Sequence, residues 1–381
     1  ATALDQFRKI RADSVALAGG LSDADASVQS MPDASPTKWH LAHVTWFLES
    51  FVLRDHVAGY RAFDDSFAYL FNSYYEAEGA RHIRAHRGLL TRPSLQHILD
   101  YRQHVEAAIA DAWNDLPEPA LQLIELGIHH EQQHQELLLT DILHLFSINP
   151  TLPAYWRDAV TRPTEDRAVA ALGWTDGLAG IQSIGHNGTS FAFDCEGPRH
   201  EVLLHPFVIA DRTVTNGEWM HFMNDGGYSE ARHWLSDGWG WVQREGISAP
   251  LYWQQNADGE WSSFGLGGLQ ALDSNAPVAH ISLYEADAYA AWAGARLPTE
   301  AEWEVMAAPQ DPLLGHQLDA PGAIQPISSQ QGMFGNVWEW TGSAFRPYPG
   351  FRAAKGAVGE YNGKFMSGQF VLRGGSCATP R

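Results

Sequence analysis

The chain has 381 residues, of which 45% are hydrophobic and 18% charged, as in folded globular proteins of two or three domains. Its formal net charge of −20 argues against nucleic acid or an anionic membrane surface as a partner. No run of 18 apolar residues occurs, and the amino terminus lacks a signal-peptide pattern, so we expect a cytoplasmic protein without a membrane span. Cys195 and Cys377 lie far apart and outside any Cys-x-x-Cys motif, so we expect any metal to be bound by histidine.

The amino-terminal part of the chain shows the apolar periodicity of helices. A first helix is predicted over residues 3–19, and the pair Gly19-Gly20 would end it. Ser35 as N-cap and Pro36 as first helical residue predict a second helix that continues towards Arg54.

Two further helices follow. Ser94 is placed to cap a helix that ends before Pro117, and the next is predicted from near Pro119 to about Phe146. Four helices in succession predict a four-helix bundle over residues 1–148, with a metal site between facing helices.

The fourth predicted helix carries a group of histidines. His130 and His134 are four residues apart, so their imidazoles stand on one helix face, as two ligands of one metal ion would. His129 is rotated by about 100° from His130 and would point elsewhere. Gln133 lies beside the pair, where it would orient a bound substrate or water. Histidines at this spacing also occur as ordinary surface or core residues, so a third ligand is needed to support a metal site.

The second predicted helix offers two candidates for that third ligand. His40 and His43 are three residues apart near its first turns. Either one is also compatible with an amphipathic helix histidine hydrogen-bonded to a neighbour, and the spacing alone does not choose between them.

Residues 57–93 contain no long periodic run, although they are rich in aromatic side chains and arginine. A long irregular segment with this composition is typical of a functional loop, so we predict an active-site loop here. Tyrosines such as Tyr74 and Tyr75 would act as proton donors, and arginines such as Arg81 and Arg84 would clamp a carboxylate. Each of these side chains is equally compatible with simple packing or with a solvated surface.

Residues 149–171 are rich in proline and polar side chains and predict a surface linker. Beyond them, residues 172–381 combine glycine, tryptophan and short β-prone runs with two predicted helices, at 284–293 and 300–307. That mixture predicts an α+β domain. The β-prone runs are Val202–Ile209, Ala279–Leu283 and Phe370–Arg373.

Several stretches together resemble known families. Those of the second half resemble signature segments of the formylglycine-generating-enzyme (FGE-sulfatase) fold, which is related to C-type lectins. Those of the first half resemble the DinB-like bundle. The stretches are Trp39-His-Leu-Ala-His43, His130-Glu-Gln-Gln-His134, Thr213-Val-Thr-Asn216, Arg296-Leu-Pro-Thr-Glu-Ala-Glu-Trp-Glu304, Gly335-Asn-Val-Trp-Glu-Trp340 and Arg373-Gly-Gly-Ser376.

The pairing of these two units resembles the EgtB-type sulfoxide synthases of ergothioneine biosynthesis, and the resemblance covers nearly the whole chain. It implies an Fe(II) cofactor held by His43, His130 and His134, and so selects His43 over His40. It also implies a reaction in which O2 and the iron join the sulfur of cysteine or γ-glutamylcysteine to C2 of the imidazole of hercynine, with formation of a sulfoxide.

The same resemblance assigns roles to other side chains. Tyr74 and Tyr75 lie in a Phe-Asn-Ser-Tyr-Tyr segment that resembles the one carrying paired active-site tyrosines in the cysteine-using branch. Arg81 and Arg84 match an arginine pair for the carboxylate of the thiol substrate. Gln133 matches a glutamine near the imidazole of hercynine.

At its carboxyl end the chain departs from the family pattern. The resemblance implies a further segment after the Gly-Gly-Ser motif, whereas this sequence ends at Arg381, so we expect that end of the second domain to be missing. Trp338, Trp340 and Phe345 are candidates for a trimethylammonium cage formed by cation–π attraction. The tryptophans are also compatible with core residues of the signature segment.

Three alternative functions stay open on the sequence. A selenoneine synthase would join a selenosugar to hercynine, and the arginine pair favours a carboxylate-bearing thiol over a sugar. A zinc DinB-type thiol transferase would share the histidines but have no use for the second domain. A lectin-like binding module would not need the three histidines and two tyrosines.

Overall fold

The computed structural model describes residues 2–157, 169–188, 190–328, 332–362 and 367–381. The first of these ranges is helical and the later ones mix helices with short strands. The α-helices are α1 Ala3–Ala18, α2 Asp23–Ser27, α3 Thr37–Leu48, α4 Arg54–His56, α5 Phe67–Phe71, α6 Leu95–Ala112, α7 Glu118–Ser147, α8 Asn216–Asn224, α9 Ser236–Glu245, α10 Leu283–Trp292, α11 Glu300–Ala307 and α12 Ala357–Asn362. The strands are β1 Trp174–Asp176, β2 Gly180–Ile184, β3 His200–Leu204, β4 Val208–Ala210, β5 Trp253–Gln255, β6 Trp261–Gly265, β7 Gly268–Ala271, β8 Glu339–Ala344 and β9 Phe370–Arg373.

The long helices α1, α3, α6 and α7 form the predicted bundle, and the predicted fold class is confirmed. Helix α1 begins with a capping box between Thr2 and Asp5. Ser94 caps α6 by accepting a hydrogen bond from the backbone N–H of His97. Helix α7 starts after Pro117 and is 30 residues long, which is enough to carry both the core of the bundle and the predicted site.

The predicted start of α3 is wrong by one residue. Pro36 occupies the N-cap position, and no side chain caps the helix. The backbone N–H of Ser35 donates to the Asp141 carboxylate at 2.8 Å, and its hydroxyl accepts from the Arg87 guanidinium at 2.9 Å. Ser35 is therefore engaged with α7 and with the loop before α6, which leaves it unable to cap α3.

A buried ionic cluster lies between the helices of the bundle. Glu131 is 1% exposed and accepts hydrogen bonds from Arg11 and Arg102, which are equally buried, at 2.8 and 2.7 Å. Ser14 donates to the same carboxylate at 2.6 Å. Because these residues come from α1, α6 and α7, the cluster fixes the rotation of α7 relative to its neighbours.

The second half is built from small antiparallel sheets and short helices. Strand β1 pairs with β4, β2 with β3, and β8 with β9, while β5, β6 and β7 form a three-stranded sheet. The two helices predicted here are confirmed as α10 and α11, each started by a capping box, Ser282 with Glu285 and Thr299 with Glu302. Among the β-prone runs, Phe370–Arg373 forms β9.

The β-prone run Ala279–Leu283 does not form a strand. Residues 279–281 lie in a loop in which His280 has φ of +60°, Ser282 is the N-cap of α10, and Leu283 is the first residue of that helix. The capping box outweighs the β propensity of this short run. Helices α8 and α9 were not expected from the periodicity of the sequence.

The predicted linker at 149–171 is only partly described, because residues 158–168 lie outside the described ranges. Its first part contacts both halves of the molecule. The backbone N–H groups of Tyr155 and Trp156 donate to the carbonyl of Leu266, at 2.9 and 3.0 Å, and the Tyr155 hydroxyl donates to the carbonyl of Leu17 at 2.6 Å. Buried Phe264 and Leu266 belong to the same hydrophobic core as the bundle, so the two halves share one core.

Within the described ranges, no helix is both long enough and apolar enough to cross a membrane. The described cysteines, Cys195 and Cys377, form no disulfide.

The ionic cluster gives a first prediction. Burial raises the pKa of Glu131, but Arg102 and Arg11 outweigh burial and lower it to about 2, from an ordinary value of 4.5. The stability that this carboxylate contributes is therefore present above pH 4.5 and is lost as the pH falls towards 2. Glu131→Gln should lower the free energy of unfolding at pH 7 by about 3–5 kcal/mol, because both guanidiniums lose their main buried partner.

Urea unfolding followed by circular dichroism between pH 7 and pH 2 measures this effect. Glu125→Gln, at an exposed position of the same helix, is the matched control and should unfold like the unaltered protein. A Glu131→Gln variant of unchanged stability would contradict the role of the cluster.

Candidate metal centre between the bundle and the second domain

Three histidines meet where α3 faces α7. His43, His130 and His134 each offer one ring nitrogen, and these three atoms lie within 4.8 Å of one another. His130 and His134 stand one turn apart on α7, and His43 reaches them from α3, so the predicted i,i+4 pair acquires a third member.

His43 is held between two indole rings. Its imidazole stacks on Trp39 at a centroid distance of 4.6 Å and on Trp46 at 5.7 Å. Its Nδ1 lies 2.6 Å from the carbonyl oxygen of Phe71, so Nδ1 carries the proton and donates it. The lone pair of His43 is consequently on Nε2.

His134 is supported by a chain of two further side chains. Its Nδ1 lies 2.9 Å from Nδ1 of His40, whose Nε2 lies 2.8 Å from a carboxylate oxygen of Asp141. His40, the alternative candidate for the third ligand, thus contacts His134 and is not one of the three grouped histidines. Sequence reasoning missed Asp141, although its position seven residues after His134 puts the two on the same side of α7.

His130 is buried among rings, and its side chain makes no hydrogen bond to any residue that the structure describes. Its side chain is 1% exposed, and neither ring nitrogen has a partner among the described residues. The rings of Phe47, at 5.1 Å, and Tyr361, at 5.1 Å, cover it edge-on. A buried nitrogen without a partner is costly, and a metal ion would satisfy it.

All three imidazoles are neutral at pH 7. Burial lowers the pKa of His130 to about 3. Burial, and then the neighbouring histidines, hold the pKa of His43 and of His134 well below the ordinary value. Neutral imidazoles with free lone pairs directed at one point are the donor set of zinc, copper, iron or nickel, so these residues fit a metal ion.

The spacing of the two α7 histidines also matches the H-E-x-x-H pattern of zinc proteases, with Glu131 in the place of the general base. The structure excludes that role for Glu131. Its carboxylate points into the bundle and is paired with Arg11 and Arg102. It is therefore a structural residue.

Tyr74 and Tyr75 lie near the histidines and stack on each other with ring centroids 5.0 Å apart. Tyr75 is 1% exposed and contacts Trp46 and Phe47, the rings that also cover His43 and His130. Burial raises the pKa of Tyr74 to about 12 and that of Tyr75 well above its ordinary value. Both phenols hold their protons at neutral pH.

The second domain covers the other side of the site. Tyr361 of α12 contacts the His130 ring, and its hydroxyl donates to the side-chain carbonyl of Gln133. His129 stacks on Phe191 with ring centroids 3.8 Å apart and is not part of the three-histidine group, as predicted. Tyr361 lies in no motif and is 231 residues from His130 in the chain, so no sequence pattern identifies it.

Glu136 joins the ligand helix to the second domain. Its carboxylate accepts hydrogen bonds from Trp338 at 2.8 Å, from Ser376 at 2.5 Å and from Thr379 at 2.8 Å. Trp338 is 42% exposed, and together with Trp340 it lines a cavity of about 1230 Å³. None of the three histidines is among the described residues that line this cavity. The predicted cage residue Trp338 thus lies beside Glu136.

The other predicted substrate contacts lie at the surface or elsewhere in the second domain. Arg81 is exposed and pairs with Glu76 at 2.9 Å, and Arg84 donates to the backbone carbonyl of Asp33. Phe345 follows β8, and its backbone N–H donates to the carbonyl of Gln369 at 2.8 Å. The buried arginine of this region is Arg87, whose guanidinium carbon lies 3.4 Å from the centroid of Trp39.

Comparison with known proteins matches both halves of the chain. Residues 6–138 match the DinB superfamily, and residues 178–315 match the sulfatase-modifying factor enzyme 1-like domain. A formylglycine-generating enzyme from Thermomonospora curvata is 35% identical over 137 residues, which covers 32% of this chain and 44% of that enzyme.

Hercynine oxygenases are similar over both halves. The enzyme from Mycobacterium tuberculosis is 33% identical over 385 residues, covering 93% of this chain and 87% of that protein. The enzyme from Mycolicibacterium smegmatis is also 33% identical, over 389 residues, with the same coverage. Identity of one third over nearly the whole chain, with both domain matches in the same order, shows that this chain belongs to the family of hercynine oxygenases, the EgtB-type enzymes.

Proposed function

We propose that this chain is an iron-dependent oxygenase of ergothioneine biosynthesis. It joins the sulfur of cysteine or γ-glutamylcysteine to C2 of the hercynine imidazole and converts that sulfur to a sulfoxide, using one O2. The observation that carries the proposal is the convergence of the neutral side chains of His43, His130 and His134, of which the first two are buried and the third is half-buried, in a chain related to hercynine oxygenases over 93% of its length.

Iron suits this site for two reasons. Imidazole ligands accept several transition metals, and reaction with O2 selects a redox-active one. Three histidine ligands leave coordination positions open, which a catalytic metal requires. When bound, the iron would supply the redox chemistry that brings O2 and a thiolate together.

The atom balance of the reaction defines what the protein must add. The imidazole C2 and the thiol each lose one hydrogen, one oxygen atom enters the sulfoxide, and the other leaves as water. A proton must therefore reach the departing oxygen. Tyr74, Tyr75 and Tyr361 are protonated phenols around the histidines, and we assign proton donation to this group.

Aromatic side chains shield the histidines from water on the bundle side. Trp39, Trp46 and Phe47 are 3% exposed or less and cover the imidazoles from the bundle side. Gln133 and Tyr361 are hydrogen-bonded to each other, and we assign to this pair the orientation of the hercynine imidazole. Arg81 and Arg84 are exposed and are proposed to meet the carboxylate of the thiol at the entrance of the site.

Turnover with defined substrates tests the function. The protein is loaded with Fe(II) without oxygen and is then exposed to O2 with hercynine and either cysteine or γ-glutamylcysteine. We expect a sulfoxide in mass spectrometry that carries one atom of ¹⁸O from ¹⁸O2. If one equivalent of iron binds but neither thiol gives product, the proposal is wrong in its substrate, and a selenosugar is the next substrate to test.

The metal site is tested by removing one ligand. His134→Ala should abolish stoichiometric Fe(II) binding, because two imidazoles do not hold the ion, while the thermal midpoint of the metal-free protein changes little. His129→Ala is the matched control, since His129 faces Phe191, and this variant should bind one equivalent. Iron analysis after gel filtration measures both. Equal iron content in the two variants would remove His134 from the ligand set.

The tyrosines are tested by the ratio of products. Tyr74→Phe, Tyr75→Phe or Tyr361→Phe should divert turnover towards oxidation of the thiol to a sulfinate, because the proton donor for the departing oxygen is lost. Mass spectrometry gives the ratio of sulfoxide to sulfinate for each variant. Tyr69→Phe, at an exposed tyrosine of the same loop, is the control and should keep the ratio of the unaltered enzyme. An unchanged ratio in all three test variants would exclude the tyrosines as donors.

A further inference from the structure

One ligand histidine is connected to a negative charge. His134 contacts His40, and His40 contacts Asp141, with nitrogen–nitrogen and nitrogen–oxygen distances of 2.9 and 2.8 Å. We propose that His40 and Asp141 are positioning residues that fix the tautomer and orientation of His134 and thereby strengthen metal binding. This inference rests on the metal site of the proposed function.

The geometry of the relay indicates which nitrogen of His134 would meet a metal. Nδ1 of His134 faces Nδ1 of His40 at 2.9 Å, so Nε2 is the nitrogen that His134 would offer to the metal. As a neutral ligand His134 then donates from Nδ1, His40 accepts at Nδ1 and donates from Nε2 to Asp141, which also accepts from the backbone N–H of Ser35 at 2.8 Å. The lone pair of His134 is left on Nε2, the nitrogen available to the metal.

The relay also anchors the side chains mechanically. His40 is 4% exposed, and its ring lies 5.1 Å from that of His134 at an angle of 60°. Asp141 is tied to Ser35, the residue two positions before α3, while His40 and His43 are both on α3. The chain Ser35, Asp141, His40, His134 therefore links the two helices that supply the metal ligands.

The charge of Asp141 is balanced within the same cluster. Arg87 donates to the hydroxyl of Ser35 at 2.9 Å and lies over Trp39, the indole that stacks on His43. The Asp141 carboxylate thus interacts electrostatically with the buried guanidinium of Arg87. Loss of the carboxylate charge would leave Arg87 to repel a divalent cation.

The other two ligands lack such support. His43 donates to a backbone carbonyl, and His130 has no hydrogen bond among the described residues. Within the described ranges no carboxylate is hydrogen-bonded to either of them. The three ligands therefore differ in basicity, and His134 is the one made more basic by an anionic relay.

Two substitutions separate the parts of the relay. Asp141→Asn removes the charge but keeps an oxygen acceptor for Ser35 and His40. His40→Asn keeps an acceptor near Nδ1 of His134 but breaks the connection to Asp141. The matched control is His144→Asn, because His144 lies on the same helix, is half-buried and bonds to the Ser30 hydroxyl at 2.7 Å, away from the site.

The affinity of the whole chain for Fe(II), in the absence of oxygen, and for Co(II) is measured by competition with a chelator. We expect Asp141→Asn and His40→Asn to weaken both metals by about 10–100-fold and His144→Asn to leave affinity unchanged. The visible absorption bands of bound Co(II) should shift in the first two variants only. Thermal melting of the metal-free proteins shows that each variant is folded.

The outcomes separate this inference from the proposed function. If the unaltered protein binds one equivalent and both relay variants bind with the same affinity and the same Co(II) spectrum, the inference is overturned and the function stands. If the unaltered protein binds neither metal, the proposed metal site itself is wrong. A third outcome is a lower metal affinity together with a lower melting temperature of the metal-free variants and an unchanged Co(II) spectrum at saturation. In that case the relay stabilises the fold and does not tune the metal ligand, and the inference is also overturned.

Discussion

The candidate site depends on bringing one ring nitrogen from each of three neutral imidazoles within 4.8 Å of the others, with His43 and His130 buried and His134 half-buried. Buried imidazoles favour the neutral form, and each ring then has one lone pair that can be on either nitrogen. The carbonyl of Phe71 makes this choice for His43, and we propose that His40 and Asp141 make it for His134. Aromatic rings pack against the imidazoles, as Trp39 does against His43 and Phe47 against His130. In the proposed site, residues outside the three histidines would thus set the tautomers of two of them.

Helix α7 meets a different environment on each side because successive residues are rotated by about 100°. His130 and His134 face α3 and form the site. Glu131 faces the ionic cluster of the bundle, and Glu136 faces the second domain. Rotation of the helix by one residue would exchange these environments, so the buried cluster at Glu131 maintains the direction of the two histidines.

The second domain completes the site. Tyr361 and Phe191 reach the ligand helix from loops and a short helix, and the hydrogen bonds of Glu136 hold that domain against α7. Without this domain His130 would lose the cover of the Tyr361 ring. The second domain therefore contributes to the candidate site although it supplies none of the three histidines.

Local patterns in the sequence were sufficient to predict the bundle, the ends of α7 and α11, and the pair His130 and His134, because each depends on residues a few positions apart. They did not choose between His40 and His43, and the resemblance to a family did. Ser35 was misjudged because its groups bind Asp141 and Arg87, which are 106 and 52 residues away. Tyr361 and the partners of Glu136 depend on the docking of the second domain, which no local pattern encodes.

X-ray absorption spectroscopy of the iron-loaded protein tests the central claim most directly, because it reports the atoms bound to the metal. We predict one kind of iron site with three imidazole ligands per iron, and no bound iron in a protein that lacks the His43 side chain, because two imidazoles do not hold the ion. A spectrum with sulfur or carboxylate ligands from the substrate-free protein, or with fewer than three imidazoles, would contradict the three-histidine site on which the account rests.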